Sequence, residues 1–322
     1  MKHISVITTG GTTAIKRKQA GREVLLSLPG TDFWALVPHE DIHLSFEEFS
    51  NIPGSHFTPV NALKLSQVVE SSLMSPDIYG VVITHGSDTI EETAYLLDLT
   101  TSSPKPIVVT GTVRHANTPD HEGLTNLVHA IRLAASPEAR DLGVVLVSGG
   151  EIHAASQVQK VYTHSLNAFQ SPGSGPLGRV ESHRIWLNHR PYRRQYIPCS
   201  RLEESVDLIR IAQGADDRLL RHAIQDRVAG IVIEVFGSGR VPPWWLPAIG
   251  DAVAQRIVVA VTSRCVFGGL GDEHGYVGAY HDLQRLGVLM VHYLDGCKTR
   301  IKLMAALGAA RSTEELRQWF AS

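Results

Sequence analysis

Gly80-Val-Val-Ile-Thr84 runs without a break into His85-Gly-Ser-Asp-Thr89, and that into Ile90-Glu-Glu-Thr-Ala-Tyr-Leu-Leu-Asp-Leu99. The first five residues are apolar or β-branched without strict alternation, the pattern of a strand buried on both faces of a parallel sheet. The last ten form a helix-like segment, with Glu91 and Glu92 placed where the positive end of a helix dipole favours carboxylates. Between them lie a glycine and small hydroxyl residues. Strand, glycine loop and helix in that order are one βα unit.

The same design recurs outward from this stretch. Ile4–Thr8, Ile107–Thr110, Leu142–Val147, Gly230–Val235 and Ile257–Val261 are further short Val/Ile runs, and Ala62–Ser72 and Thr125–Ala135 are helix-like. Alternating strands and helices imply right-handed crossovers and an α/β fold with a doubly wound, mostly parallel sheet. From Pro172 to Pro198 the rhythm breaks, with four prolines and the basic residues Arg190, Arg193 and Arg194; this reads as a surface excursion followed by a linker. Alternation resumes with Leu202–Gln213 and Leu219–Arg227. A proline-started helix over Pro243–Gln255 follows, then helices over Leu283–Leu294, Lys298–Leu307 and Thr313–Phe320. At roughly 150 residues per domain, 322 residues suit two domains. The expected division is a larger N-terminal α/β domain over 1–190, a linker over 191–203 and a smaller C-terminal α/β domain over 204–322.

Composition narrows the function classes. With 43% hydrophobic and 19% charged residues the chain has globular composition, not that of a disordered polymer. A net charge of -2 gives no bulk basic footprint, so neither nucleic acid nor an anionic membrane is an expected partner. Cys199, Cys265 and Cys297 are too few and too scattered for a disulfide framework or a metal knuckle, and the 16 histidines include no HExxH pair, so no metal is expected. The apolar runs fall far short of the ~20 residues of a membrane helix. The start of the chain carries no long apolar segment ahead of a cleavage site, which leads to a cytoplasmic expectation.

In an open α/β sheet the ligand crevice lies outside the carboxyl ends of the strands. Four such ends are rich in glycine and small hydroxyls: Thr9-Gly10-Gly11-Thr12-Thr13, His85-Gly86-Ser87-Asp88-Thr89, Gly111-Thr112-Val113-Arg114 and Ser148-Gly149-Gly150. The first lacks the spacing of a dinucleotide loop and the Lys-Ser/Thr ending of a P-loop.

Taken together, Thr9-Gly-Gly-Thr12 and, about 70 residues later, Ile83-Thr-His-Gly-Ser-Asp-Thr-Ile-Glu-Glu-Thr93 resemble the two signatures of the bacterial L-asparaginase/glutaminase family. Further stretches are similar to that family's motifs: Gly111-Thr-Val-Arg114 through Gly123 and Asn126-Leu127, then Val158-Gln-Lys160 through Phe169 and Gly175-Pro-Leu-Gly178. Gly237-Ser-Gly239 and Arg264-Cys265 also look familial. The resemblance spans essentially the whole chain.

The resemblance implies amide hydrolysis through a covalent acyl-enzyme, which needs a hydroxyl, a base and an oxyanion site. It implies Thr12 as nucleophile, Ser87 as second hydroxyl, and Asp88 and Lys160 as its relay partners. A lysine beside a carboxylate in a crevice can serve as a base once its proton affinity is tuned. The same resemblance puts substrate contacts at Gly11, Gly54, Ser55, His56, Gly86, Ser87, Asp88 and Thr112, with Ser55 on the α-carboxylate and Asp88 on the α-ammonium. The backbone N–H groups around Ser87 and Thr112 are candidates for the oxyanion site. No cofactor is implied. A homodimer or homotetramer is expected, because family sites lie between subunits.

Three positions depart from the family pattern. Ser87 replaces the common threonine. The segment Ile15–Gly30 contains no tyrosine, where the family carries one on a mobile lid. His56 stands in place of the usual glutamine, and the glutamate normally supplied by a neighbouring subunit has no secure counterpart, with Glu273, His281 and Asp282 all in the region. The expected substrate is asparagine. A related small carboxylate amide, glutamine included, and a non-catalytic amino-acid-binding protein are the alternatives. The amidotransferase relative that feeds ammonia to transfer-RNA charging would want an added RNA-binding module. Trp244-Trp245 fits a core or an interface equally well.

Overall fold

The computed structural model describes residues 1–10, 41–114, 122–181, 184–191, 194–271 and 275–321. They form two compact units, Met1–Tyr196 and Ile197–Ser322.

In the first unit, β1 (Lys2–Thr8), β2 (Ile42–Glu48), β3 (Ile78–Gly86), β4 (Ile107–Thr112) and β5 (Val144–Ser148) are parallel. They are followed by β6 (Glu151–Ala154), β7 (Gln159–Lys160), β8 (Phe169–Gln170), β9 (Gly178–Val180) and β10 (Ile185–Leu187). Eight of these make one sheet in the order β10-β9-β6-β5-β4-β3-β1-β2, its β6, β9 and β10 pairing antiparallel, while β7 and β8 form a ribbon of their own. Helix α1 (Pro59–Met74) starts from Thr58, whose hydroxyl and the Asn61 amide cap each other's backbone N–H in a capping box. Helices α2 (Ile90–Thr100) and α3 (Gly123–Ala134) complete the unit. Leu127, Ala130, Ile131 and Ala134 of α3 pack on Ile4, Val6, Val82, Val108 and Val145. The intervening Ile83, Val109 and Leu146 therefore face the other way, where α1 and α2 pack, and they are equally buried. Burial on both faces is why these strands read as continuous Val/Ile runs.

The chain leaves β1 for β2 on one side and then crosses to β3 on the other, so the strand order reverses at β1. That reversal opens a crevice at the carboxyl ends of β1 and β3, where ligands bind in such sheets.

The second unit is a four-stranded parallel sheet in the order β11 (Val206–Arg210), β12 (Gly230–Val235), β13 (Val258–Ser263) and β14 (Leu289–Met290). Helices α4 (Arg218–Gln225), α5 (Leu246–Ala254), α6 (Tyr280–Arg285), α7 (Gly296–Ala309) and α8 (Thr313–Phe320) surround it. Trp245 is buried with Ile231, Ile233 and Ile249, and its indole N–H donates to the Ala215 carbonyl; its neighbour Trp244 is exposed. The two tryptophans thus divide between core and surface.

Two sequence expectations are corrected. The helix expected over Leu283–Leu294 ends at Arg285, and Leu289–Met290 join β13 as a fourth strand. Gly287 disfavours continuing the helix, and the apolar residues beyond it complete the sheet edge. The stretch from Pro172 to Pro198 is not merely an excursion, because it supplies β9 and β10 to the sheet edge. It also supplies Arg194, whose Nε donates to Asp98 Oδ1 at 3.2 Å and whose Nη2 donates to the Thr101 carbonyl at 2.6 Å.

Candidate active site

The first wall of the crevice is the end of β1. Thr9 donates to the Thr84 carbonyl with both its backbone N–H and its hydroxyl, each at 3.1 Å, and the Ser50 hydroxyl donates to the Thr9 carbonyl at 2.8 Å. Gly10 follows with φ +101°, and a Cβ there would lie 2.5 Å from the Ile52 nitrogen. Only glycine fits both the angle and the approach. From Gly10 the chain enters Gly11 and Thr12, which lie outside the described residues, as do the Ile15–Gly30 segment and Glu273.

The second wall is the turn after β3. His85 is buried, and its Nδ1 lies 2.9 Å from the Gly86 carbonyl. A carbonyl only accepts, so Nδ1 carries the proton and Nε2 accepts from the Thr93 hydroxyl at 3.2 Å. Burial drives the His85 pKa down to about 4, so the ring is neutral across the neutral range. Phe57 packs edge-on against it, 4.5 Å between centroids. The imidazole braces the Gly86-Ser87 turn from beneath. Its place in the motif was legible, but its bracing role was not.

Onto this turn docks the 3-10 turn Gly54–His56. The Thr89 hydroxyl donates to the Gly54 carbonyl at 2.7 Å. A Cβ on Gly54 would lie 2.9 Å from the Gly86 carbonyl carbon and oxygen. Ser55 and His56 are exposed on that turn. Thr112 is buried in register beside Gly86. The structure thus brings Gly54, Ser55, His56, Gly86, Ser87, Asp88 and Thr112 to one place. Gly54→Ala should force the docked turn off Gly86 and lower kcat/KM by on the order of tenfold to a hundredfold, as ångström-scale misplacement does; steady-state kinetics beside a thermal melt checks this.

Lys160 arrives on β7. Its Nζ lies 3.0 Å from Ser87 Oγ and 3.1 Å from Asp88 Oδ1. The lysine side chain is 20% exposed and the aspartate 60%, so the ion pair is open to solvent on the Asp88 side. As an ammonium, Lys160 orients the hydroxyl by donating to it. As an amine, it accepts a proton from a hydroxyl in the same place. The arrangement can therefore shuttle a proton to and from a reacting alcohol.

Beyond β4, Glu122 Oε1 accepts from Val113 N–H at 2.7 Å and from Arg114 N–H at 3.3 Å, which shapes the turn after Thr112. Asn126 donates to the Gly111 carbonyl and accepts from Gly149 N–H, both at 3.0 Å, and so ties the ends of β4 and β5 together. Asn126 belongs to the motif read in the sequence, whereas Glu122 has no sequence signal beyond a carboxylate just ahead of Gly123.

In the second unit, described by itself, Ser263 Oγ donates to the Gly237 carbonyl at 2.6 Å, and the Arg264 guanidinium stacks 4.4 Å from the Phe236 ring centroid. The Gly237-Ser-Gly239 and Arg264-Cys265 motifs are thus neighbours at adjacent strand ends. Asp282 accepts from Gly278 N–H at 2.9 Å and pairs with Arg285 on α6, beside His281.

A hydroxyl, an amine and a carboxylate are thus gathered beside the switch point of a doubly wound sheet. Residues 3–193 match the family described as "Asparaginase, N-terminal", and residues 205–320 match "Glutaminase/Asparaginase C-terminal domain". The chain is 31% identical to an L-asparaginase of Bacillus licheniformis over 309 residues, 96% of each chain. It is 32% identical to a probable L-asparaginase of Deinococcus radiodurans over 324 residues, 99% of this chain and 97% of the other. Its fold superposes on the crystal structure of a probable cytoplasmic L-asparaginase from Campylobacter jejuni with a TM-score of 0.84 and 26% identity, over 99% of each chain. The protein is an amidohydrolase, and the chain belongs to the asparaginase family. No helix among the described residues is long and apolar enough to cross a membrane.

Proposed function

We propose that this enzyme hydrolyses the side-chain amide of L-asparagine to L-aspartate and ammonia through an acyl-enzyme. The observation that carries the reading is the pair of contacts from Lys160 Nζ to Ser87 Oγ and Asp88 Oδ1. Thr12 is the nucleophile. Its oxygen bonds to the amide carbon, the C–N bond breaks, and nitrogen leaves as ammonia with the proton that the hydroxyl gave up. A water then adds to the ester, releasing the acid and restoring the alcohol. Ser87 and Lys160 handle protons during this exchange, and Asp88 holds the Lys160 amine in place while facing the substrate ammonium. Ser55 and His56 meet the substrate carboxylate. Gly11, Gly54 and Gly86 let the backbone approach it closely, and Thr112 lies beside the reacting amide.

Glutamine is the second reading, favoured by one observation: the family matched by residues 205–320 is described for both glutaminase and asparaginase. The homo-oligomer, a dimer or a dimer of dimers, and a cytoplasmic location belong to the same proposal, the latter in line with the wording used for the Campylobacter jejuni relative. Ammonia release from asparagine, glutamine and a panel of small carboxylate amides tests it. The expected order is asparagine first, with the corresponding acid formed in equal amount. Binding without release from any amide contradicts the reading and favours a non-catalytic amino-acid-binding protein.

A further inference from the structure

Lys160 is carried by β7, and among the described residues β7 pairs only with β8, in a two-stranded ribbon outside the eight-stranded sheet. The main sheet's ladder therefore stops short of the lysine, and Val158 N–H bonded to the Ala154 carbonyl ties only the start of the ribbon to β6. Ser87, by contrast, follows β3 directly and leads into the first turn of α2. Something must register the ribbon against that turn.

We infer that Glu91 is a positioning residue, whose carboxylate grips the main-chain N–H of Lys160 and so fixes where its amine meets Ser87. Lys160 N–H donates to Glu91 Oε2 at 2.6 Å, the short range of a charge-assisted bond. Glu91 is the second residue of α2, four positions after Ser87. One helical turn thus references both ends of the Lys160–Ser87 contact. Within the ribbon Val161 N–H donates to the Ala168 carbonyl at 2.7 Å, and just ahead of it Val158 N–H donates to the Ala154 carbonyl at the end of β6 at 3.0 Å. Those bonds keep the ribbon's shape without registering it on α2. A small slide of β7 would carry Nζ out of hydrogen-bond range, and displacement on that scale is enough to cost catalysis.

This inference rests on the reading of Lys160 as the proton carrier, and its test separates the two. Glu91→Gln keeps an acceptor oxygen, whereas Glu91→Ala removes it; Glu91→Leu fills the space where the alanine variant melts early. In ammonia-release kinetics with asparagine, Glu91→Ala and Glu91→Leu should lose kcat by on the order of tenfold to a hundredfold with KM within about threefold, and Glu91→Gln should stay within about threefold of the parent. Selective ¹⁵N-lysine spectra give a readout independent of turnover. The Lys160 amide proton should lie far downfield in the parent and in Glu91→Gln, and return to the ordinary range in Glu91→Ala. An unchanged kcat in folded Glu91→Ala, a Glu91→Gln as impaired as Glu91→Ala, or a Lys160 amide shift indifferent to Glu91 would each overturn it. A parent that hydrolyses no amide defeats the functional reading alone, and the amide shift still decides the anchor.

Discussion

Replacing Lys160 with methionine is expected to lower kcat for amide hydrolysis by about 10³-fold or more, the scale of losing a general base, while the protein stays folded. Methionine follows the same path without the amine. The lysine's partner Asp88 is 60% exposed, so removing the amine leaves no buried charge behind. What is lost is the donor 3.0 Å from Ser87 Oγ and the acceptor that the deprotonated amine would offer. Lys160→Arg separates charge from proton transfer. Arginine keeps the positive charge beside Asp88 but stays protonated at every working pH. It should therefore be as inactive as methionine. Stopped assays of ammonia release by both variants, with thermal melts alongside, check the expectation. An active arginine variant would mean that Lys160 acts as a fixed charge only.

Arg194→Met is expected to be the most destabilising single change outside the site, by about 3–5 kcal/mol at pH 8. Asp98 is 13% exposed and Arg194 is 24% exposed, so the pair is largely desolvated. Removing the guanidinium leaves the carboxylate with the Val144 N–H at 2.9 Å. In the intact protein burial raises the Asp98 pKa from 3.8 to about 6, against the opposing pull of Arg194 and the Val144 N–H. The folded state thus holds that proton more tightly than the unfolded chain. Stability from this group is gained as pH falls from about 6 towards 3.8 and is lost as pH rises through the same window. Without Arg194 the folded-state value moves higher still. The deficit of the variant should therefore be largest above neutrality and shrink towards pH 5, where the carboxyl is neutral.

His85 and His153 pull the opposite way, since burial drives both down to about 4 and acid must charge them on unfolding. Their effect is common to parent and variant, and cancels in the difference. Urea melts at pH 5 and pH 8 measure it, and Asp98→Asn in the same background should recover part of the loss. A deficit that does not change with pH would show that packing rather than charge is at stake.

Parts of this architecture were legible because one physical cause wrote them plainly. Strands covered on both faces must be apolar throughout, and Gly230–Val235 is read from the sequence with the bounds it has in the fold. Segments covered on one face hid better. Ile42–Glu48 alternates Ile42, Leu44 and Phe46 with His43, Ser45 and Glu47, a period-two signal that continuous Val/Ile runs overshadow. The short strands Gly178–Val180 and Ile185–Leu187 lie among prolines and basic residues, so their pairing depends on a sheet edge far away in sequence. At the site, the resemblance to the asparaginase motifs pointed to Ser87, Asp88 and Lys160, and the geometry gathers them. The supporting carboxylates were not legible in that way. Glu91 and Glu122 each bind a backbone N–H of another segment, and nothing local distinguishes such a carboxylate from one that merely suits a helix start. Arg194 is the same lesson in reverse, a cation in an apparent linker whose partner is 96 residues earlier.

In the proposed reaction an alcohol takes the acyl group before water does, with Lys160 moving the proton. Turnover of asparagine in the presence of hydroxylamine reads this directly, because an acyl-enzyme partitions between the two nucleophiles. The hydroxamate should grow at the expense of aspartate as hydroxylamine is raised, with ammonia release not slowed, and Lys160→Met should form both products about 10³-fold more slowly. Full ammonia release with aspartate alone at every hydroxylamine concentration would mean that water attacks the amide directly, and would contradict it.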